Sequence, residues 1–303
     1  MAVKTMDLPT ATKSVAYTTN TVTSKDGTVI SYRQLGHGPG LVMLHGAMES
    51  SASHMQLAQE LADAFTVYLP DRRGHHLPGP NPKTYTMQKE VEDLDALLTK
   101  TDTHLVFGVS AGGLISLQAA LTLPNIHKVA VYEPALVVNH SISTDFLPRY
   151  DREIAEGKTS AALISGMLGG QLGPPFLNKL PRWFMEFMTW TSMRSEDKKA
   201  KPGDVTMRML APTLHYDFSL VIEMAEKIAT FKAINTDVLL LGGSESPAWL
   251  KLALDALEKV LPRMKRVEFP GLNHGSSSDL SATNRESHPD IIAAEMRHFF
   301  AEK

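Results

Sequence analysis

Two periodicities take turns along this chain. Residues 16–24 and 28–36 alternate apolar and polar positions around Lys25-Asp26-Gly27. An Asp-Gly pair between two such runs predicts a β-hairpin. Gly40-Leu-Val-Met-Leu44 is then an unbroken apolar run, the pattern of a strand buried on both faces. Further strands are predicted over 65–69, 104–107, 128–132, 237–241 and 263–269. Between them apolar residues recur every three to four positions. That spacing predicts helices over 51–61, 86–98, 111–121, 247–261 and 289–300. Pro247 and Pro289 suit the first turn of a helix, where a missing N–H costs no intrahelical bond. Strand and helix alternate after the hairpin. The expected fold class is therefore α/β, a mostly parallel sheet with helices on both faces.

The alternation stops once. Residues 135–236 read as helices and loops without a clear strand, and they hold 7 of the 15 Met and 2 of the 3 Trp. The expectation is a core made of 1–134 and 237–303, with 135–236 inserted as a helical cap. Residues 275–287 are rich in Ser, Asn and Asp and read as a loose loop. The first dozen residues read as an arm.

Composition removes several function classes. A length of 303 residues suits one large domain, or a core with one insertion. With a formal charge of −3 and no long basic run, nucleic acid is not an expected partner. The absence of cysteine excludes disulfides, thiolate metal sites and a cysteine nucleophile. No apolar stretch reaches the roughly 20 residues that span a bilayer, and none at the start has signal-peptide character. A soluble cytoplasmic protein with no membrane partner is expected, and a homodimer stays open. His75-His76 has no third ligand at a useful spacing, so no metal is expected. No phosphate loop or dinucleotide fingerprint is present, and no cofactor is expected.

The strongest chemical signal is Gly108-Val-Ser110-Ala-Gly112, followed by Gly113. An apolar run precedes it and a good helix follows it. This is the strand, tight turn and helix that a serine nucleophile elbow requires. The turn lifts the hydroxyl above the sheet edge, and the helix N-terminus places N–H groups beside it. A general base belongs late in the chain. Gly271-Leu-Asn-His274-Gly275 follows the last predicted strand and would bring His274 to the same sheet edge as Ser110. His288 and His298 sit beside or within the last helix and read as surface or packing residues.

With those pieces, His45-Gly46, Asp71-Arg72-Arg73-Gly74-His75 and Tyr132-Glu133-Pro134, the chain resembles the α/β-hydrolase superfamily over residues 15–302. The resemblance implies a sheet of about eight strands, with Ser110 as nucleophile and His274 as base. It implies an oxyanion hole from the backbone N–H groups of Ala47 and Ala111. It makes the 71–75 loop and His45 structural. The triad acid departs from the commonest pattern. Its usual place after the strand at 237–241 falls near Ser246, with Glu245 one residue earlier. A second arrangement puts the acid after the preceding strand, at Glu133. Glu133 is placed first and Glu245 is the alternative. Met48, Trp183, Phe187 and Met188 are candidates for the substrate-binding wall, although a Met and aromatic stripe on a helix is more often core. The implied function is hydrolysis of an ester or lactone of a moderately apolar small molecule. C–C hydrolase, lyase or cofactor-free dioxygenase chemistry shares this elbow, and a non-catalytic ligand receptor shares the scaffold.

Overall fold

The structure is a computed structural model, and it describes residues 16–75, 85–172, 179–201, 203–281 and 284–302. The predicted arm and His76 lie outside the described residues. Eight strands form one sheet: β1 (Thr18–Thr23), β2 (Val29–Gly36), β3 (Gly40–Leu44), β4 (Thr66–Pro70), β5 (Leu105–Val109), β6 (Lys128–Tyr132), β7 (Asp237–Gly243) and β8 (Met264–Phe269), in the order β1-β2-β4-β3-β5-β6-β7-β8. β1 and β2 form the hairpin, β2 runs antiparallel to β4, and every pairing from β4 to β8 is parallel.

Strand side chains alternate between the two faces, and the parallel strands are apolar on both. Leu41, Met43, Phe107, Val109, Leu239 and Leu241 pack on one face, with α1 (Met55–Leu61) and α10 (Pro289–Ala301). Val42, Leu44, Val106, Val129, Val131 and Leu240 pack on the other. That face is covered by α2 (Met87–Thr101), α3 (Ala111–Thr122) and α9 (Ala248–Val260).

α1 starts later than its apolar spacing predicts. Serine side chains explain this, because they offer the backbone bonds that compete with a helix. Ser50 N–H donates to Ser53 Oγ at 3.1 Å, and Ala52 N–H to Ser50 Oγ at 3.2 Å.

Between β6 and β7 the chain forms α4 (Leu147–Ala155), α5 (Thr159–Gly169), α6 (Arg182–Lys199), α7 (Met207–Leu210) and α8 (Leu214–Met224), with no strand among the described residues. Ala135, Val137, Tyr150, Ala162, Leu214 and Phe218 form a third apolar cluster there, closed from the core side by Trp249 and Leu250. A buried charge network joins this segment to the core. Arg72, just after β4, donates from Nη1 to Asp217 Oδ1 on α8 at 2.9 Å and from Nη2 to Glu90 Oε1 on α2 at 3.1 Å. His75 Nε2 lies 3.1 Å from Asp217 Oδ2. Both carboxylates hold the Arg72 guanidinium well above its ordinary pKa, although burial works the other way.

Breaking one member of a buried pair leaves an uncompensated charge and costs roughly 3–5 kcal/mol. Asp217→Ala is therefore expected to destabilise the fold by about that amount in denaturant unfolding. A wild-type unfolding midpoint would show that the inserted helices are held by their apolar cluster alone.

Candidate active site

The carboxyl ends of β3, β5, β6, β7 and β8 share one edge of the sheet, where ligands of open α/β sheets bind. β5 ends at Val109, and the chain reverses at Ser110 with φ 52° and ψ −117° before entering α3. A serine at positive φ is uncommon and strained, and such residues gather at functional sites. The turn closes only because its neighbours lack side chains. A Cβ on Gly112 would meet Leu44 O and His45 O at 2.5 Å each. Three hydrogen bonds fix the Ser110 backbone. Its N–H donates to Tyr132 O, and its carbonyl accepts from Leu114 and Ala135, all at 3.0 Å. The Ser110 hydroxyl has no hydrogen-bond partner among the described residues.

His274 opens a short 3-10 turn, His274–Ser277, just beyond β8. Its Nδ1 lies 2.7 Å from Glu133 Oε2. A carboxylate only accepts, so Nδ1 carries the proton and donates. Nε2 is then the basic nitrogen, and no described residue bonds it. Glu133 follows β6 at φ 47° and is fully buried. Its other oxygen accepts from Gly243 N–H at 2.7 Å and from the Ser246 hydroxyl. Tyr132 Oη donates to Asn273 O at 2.7 Å, pinning the residue before His274 to the end of β6.

Glu245 is not part of this arrangement. It is exposed, and only its backbone is engaged, donating to Leu272 O at 2.9 Å. At the position where an acid more often stands, Ser246 hydrogen-bonds Glu133. Sequence reasoning missed that donor. The glycine pair before it was the available signal, since a Cβ on Gly242 would meet Glu133 Oε1 at 3.2 Å.

The loop after β3 carries the second half of the site. Neither Ala47 N–H nor Ala111 N–H has an acceptor among the described residues. His45 is buried. Its Nε2 accepts from Arg72 N–H at 3.2 Å, so its Nδ1–H donates to Gly46 O at 2.9 Å. Burial first, then the nearby His75 and Arg72, holds its pKa well below the ordinary value and keeps it neutral. Gly46 O and Ala47 N–H belong to one trans peptide and point to opposite sides. Anchoring the carbonyl therefore orients the N–H. What His45 holds in place is this peptide.

Met48, at φ 59°, packs against the third apolar cluster. Trp183, Phe187 and Met188 on α6 are not brought there. They are 69%, 54% and 52% exposed, so the stripe is not core either. α6 buries Met185 and Met193 instead. The loop expected over 275–287 is not loose where it is described. Asp279 N–H donates to Ser53 O at 2.8 Å, and Asn284 Nδ2 to Gly275 O at 2.8 Å. Its Ser and Asn side chains, read as loop signals, are the ones that tie it down. Among the described residues no group of three or more His, Asp or Glu is set to hold a metal ion, and no helix is long and apolar enough to cross a membrane.

The model of the alpha/beta hydrolase family matches residues 41–295. The chain is 24% identical over 272 residues to a pimeloyl-[acyl-carrier protein] methyl ester esterase of Stenotrophomonas maltophilia, covering 88% of this chain and 94% of that one. An alpha/beta hydrolase of Sphaerobacter thermophilus superposes with a TM-score of 0.73 at 30% identity, covering 93% of this chain and all of the other, 100%. Naproxen esterase of Bacillus subtilis superposes at 0.62 with 16% identity, over 94% and 92% of the two chains, a likeness of fold.

The two glutamates separate cleanly by experiment. Glu133→Gln keeps the shape but favours the wrong imidazole tautomer, and should lower kcat by up to ~10⁴-fold. Glu245→Gln should cost less than about tenfold. Both are compared with wild type by thermal melts first, because a buried unpaired group can unfold a domain. A severe Glu245→Gln beside a mild Glu133→Gln would move the acid to the loop after β7.

Proposed function

The chain belongs to the alpha/beta hydrolase family and is a hydrolytic enzyme, and from that premise we propose that it cleaves a carboxylic ester or lactone of a moderately apolar small molecule through Ser110, His274 and Glu133. The single observation that carries this reading is the 2.7 Å bond from His274 Nδ1 to the buried Glu133. It fixes the tautomer that leaves Nε2 to take a proton. The ester bond itself is supported by likeness to the Stenotrophomonas esterase.

In this mechanism His274 Nε2 takes the Ser110 hydroxyl proton as Oγ attacks the carbonyl carbon. The carbonyl oxygen gains the negative charge and accepts from Ala47 N–H and Ala111 N–H. Such donors contribute about 2.7–4 kcal/mol each to transition-state stabilisation. The carbon–oxygen bond to the alcohol breaks, and the imidazolium returns the proton to the leaving alkoxide. Water then attacks the acyl-Ser110 ester, with Nε2 again the base, and releases the acid. Glu133 keeps accepting from Nδ1–H and stabilises the imidazolium.

The test is a series of p-nitrophenyl esters of increasing acyl length beside a panel of lactones. Wild type should turn over members of at least one series. Ser110→Ala should abolish turnover and fluorophosphonate labelling while melting like wild type. Turnover that survives in Ser110→Ala, or wild type inert to every ester and lactone, would sink the reading. For chain-length selection we assign Met48 ahead of Trp183, Phe187 and Met188, since it lies beside Ala47 and packs against the third apolar cluster. Met48→Ala should shift the preferred acyl length, seen as a changed ratio of kcat/KM across the series. Trp183→Ala should leave that ratio alone. The reverse result would assign the selection to α6.

A further inference from the structure

We propose that Glu49 is a positioning residue that sets the oxyanion loop against the His274 loop and so places the Ala47 N–H for the transition state. The proposal rests on the ester-cleaving reading and deepens it.

One carboxylate touches both loops. Glu49 Oε2 accepts from Gly46 N–H at 2.7 Å, one residue before the Ala47 donor. Its Oε1 accepts from the hydroxyl of Ser278, four residues after His274. His54 completes the clamp. Its Nε2 donates to Glu49 Oε2 at 2.9 Å, and its Nδ1 donates to Ser277 O at 2.9 Å. Both acceptors lack a proton to give, so His54 carries two and is an imidazolium. Asp279 adds a second seam, accepting from Gln56 N–H at 2.8 Å while its own N–H donates to Ser53 O at 2.8 Å.

The titratable groups around Glu49 are His54, Asp279 and the neutral His45. Burial disfavours the charge on both Glu49 and His54, but their mutual attraction and hydrogen bonds outweigh it. Glu49 is held well below the usual carboxylate range, and His54 is raised above its ordinary value.

The loop needs this clamp because of its backbone. Met48 stands at φ 59°, a left-handed turn that a residue with a Cβ adopts reluctantly. The bond from Gly46 N–H to the Glu49 side chain closes that turn. His45 fixes the peptide that carries Ala47 N–H, and Glu49 fixes the peptide before it. Among the described residues, only Glu49 ties either by a hydrogen bond to the loop that carries His274. Catalysis depends on that spacing, because the oxyanion must meet its donors while Nε2 meets Ser110 Oγ.

The experiment measures kcat, KM and inhibition by a trifluoromethyl ketone for wild type, Glu49→Ala and Glu49→Gln. That ketone adds to Ser110 Oγ, and its oxyanion lies where the substrate's does. Glu49→Ala should lower kcat about 30-fold, a fraction of the ~10²-fold that a 1 Å misplacement can cost. KM should stay within about twofold, and the ketone Ki should rise by the same factor as kcat falls, as transition-state binding requires. Glu49→Gln keeps an oxygen for Gly46 N–H and should recover to within about fivefold of wild type. If Glu49→Ala does not melt cooperatively, Glu49→Ala with His54→Leu removes the stranded imidazolium and carries the same test. An unchanged kcat, a loss confined to KM, or a Ki that does not follow kcat would overturn the proposal while wild-type turnover keeps the parent reading. Wild type inert to every ester and lactone would overturn both.

Discussion

The carboxylate of Glu133 is the constraint on which the site depends. It is fully buried, and a buried charge is tolerated only when its oxygens are hydrogen-bonded. Its partners come from three places in the chain: Gly243 at the end of β7, Ser246 beyond it, and His274 beyond β8. Satisfying one side chain therefore fixes how three successive loops leave the sheet. The loop after β8 cannot wander without stranding the charge. Tyr132 reinforces this by bonding Asn273 O from the neighbouring residue.

Strain is distributed in the same pattern. Met48, Ser110 and Glu133 all have positive φ, and each follows a strand of the parallel core. Such residues cost of order 1–3 kcal/mol apiece and persist only where their surroundings over-determine them. Ser110 is held by backbone bonds to Tyr132 and Ala135, and Glu133 by the pairing of its own N–H with Leu241 O at 3.0 Å. Both belong to the sheet's hydrogen-bonded frame. Met48 lies on a loop, and side chains must do for it what the sheet does for the others.

The fold was largely legible in the sequence because it rests on local periodicity. Apolar runs marked the parallel strands to within two residues or so, and the elbow glycines at 108 and 112 marked Ser110. The carboxylate that meets His274 was less legible. Choosing between Glu133 and Glu245 depends on where β6 and β7 end relative to His274, which is pairing register rather than pattern. Glu49 was invisible for a related reason. Its partners Ser278 and His54 lie 229 and 5 residues away, and neither has a distinctive spacing. The α6 stripe misled because Met and aromatic residues at helical spacing suggest burial, yet Trp183 and Phe187 lie on the outward face while Met185 and Met193 hold the helix down. Serines misled twice, at 50–53 and 276–278. They read as helix or loose loop, whereas their hydroxyls bond nearby backbone and side chains.

The two halves of the proposed site consequently differ in how they are supported. Ser110, Glu133 and His274 are anchored through the ends of β5, β6 and β8. The loop after β3 is anchored through ionised side chains on both flanks. On one flank Glu49 and His54 tie it to the His274 loop. On the other, Arg72 donates from Nη1 to His45 O at 3.3 Å as well as to Asp217 on α8. His45 in turn holds the Gly46 carbonyl. A chain of bonds thus runs from an inserted helix, through a buried guanidinium and a neutral imidazole, to the peptide bearing the Ala47 N–H. Interactions between charges are stronger in such a dry setting than in water, so the position of α8 is joined to the Ala47 peptide through these bonds as well as through the apolar cluster against which Ala47 packs. The segment between β6 and β7 is in that way built into the part of the site that the sheet itself does not hold.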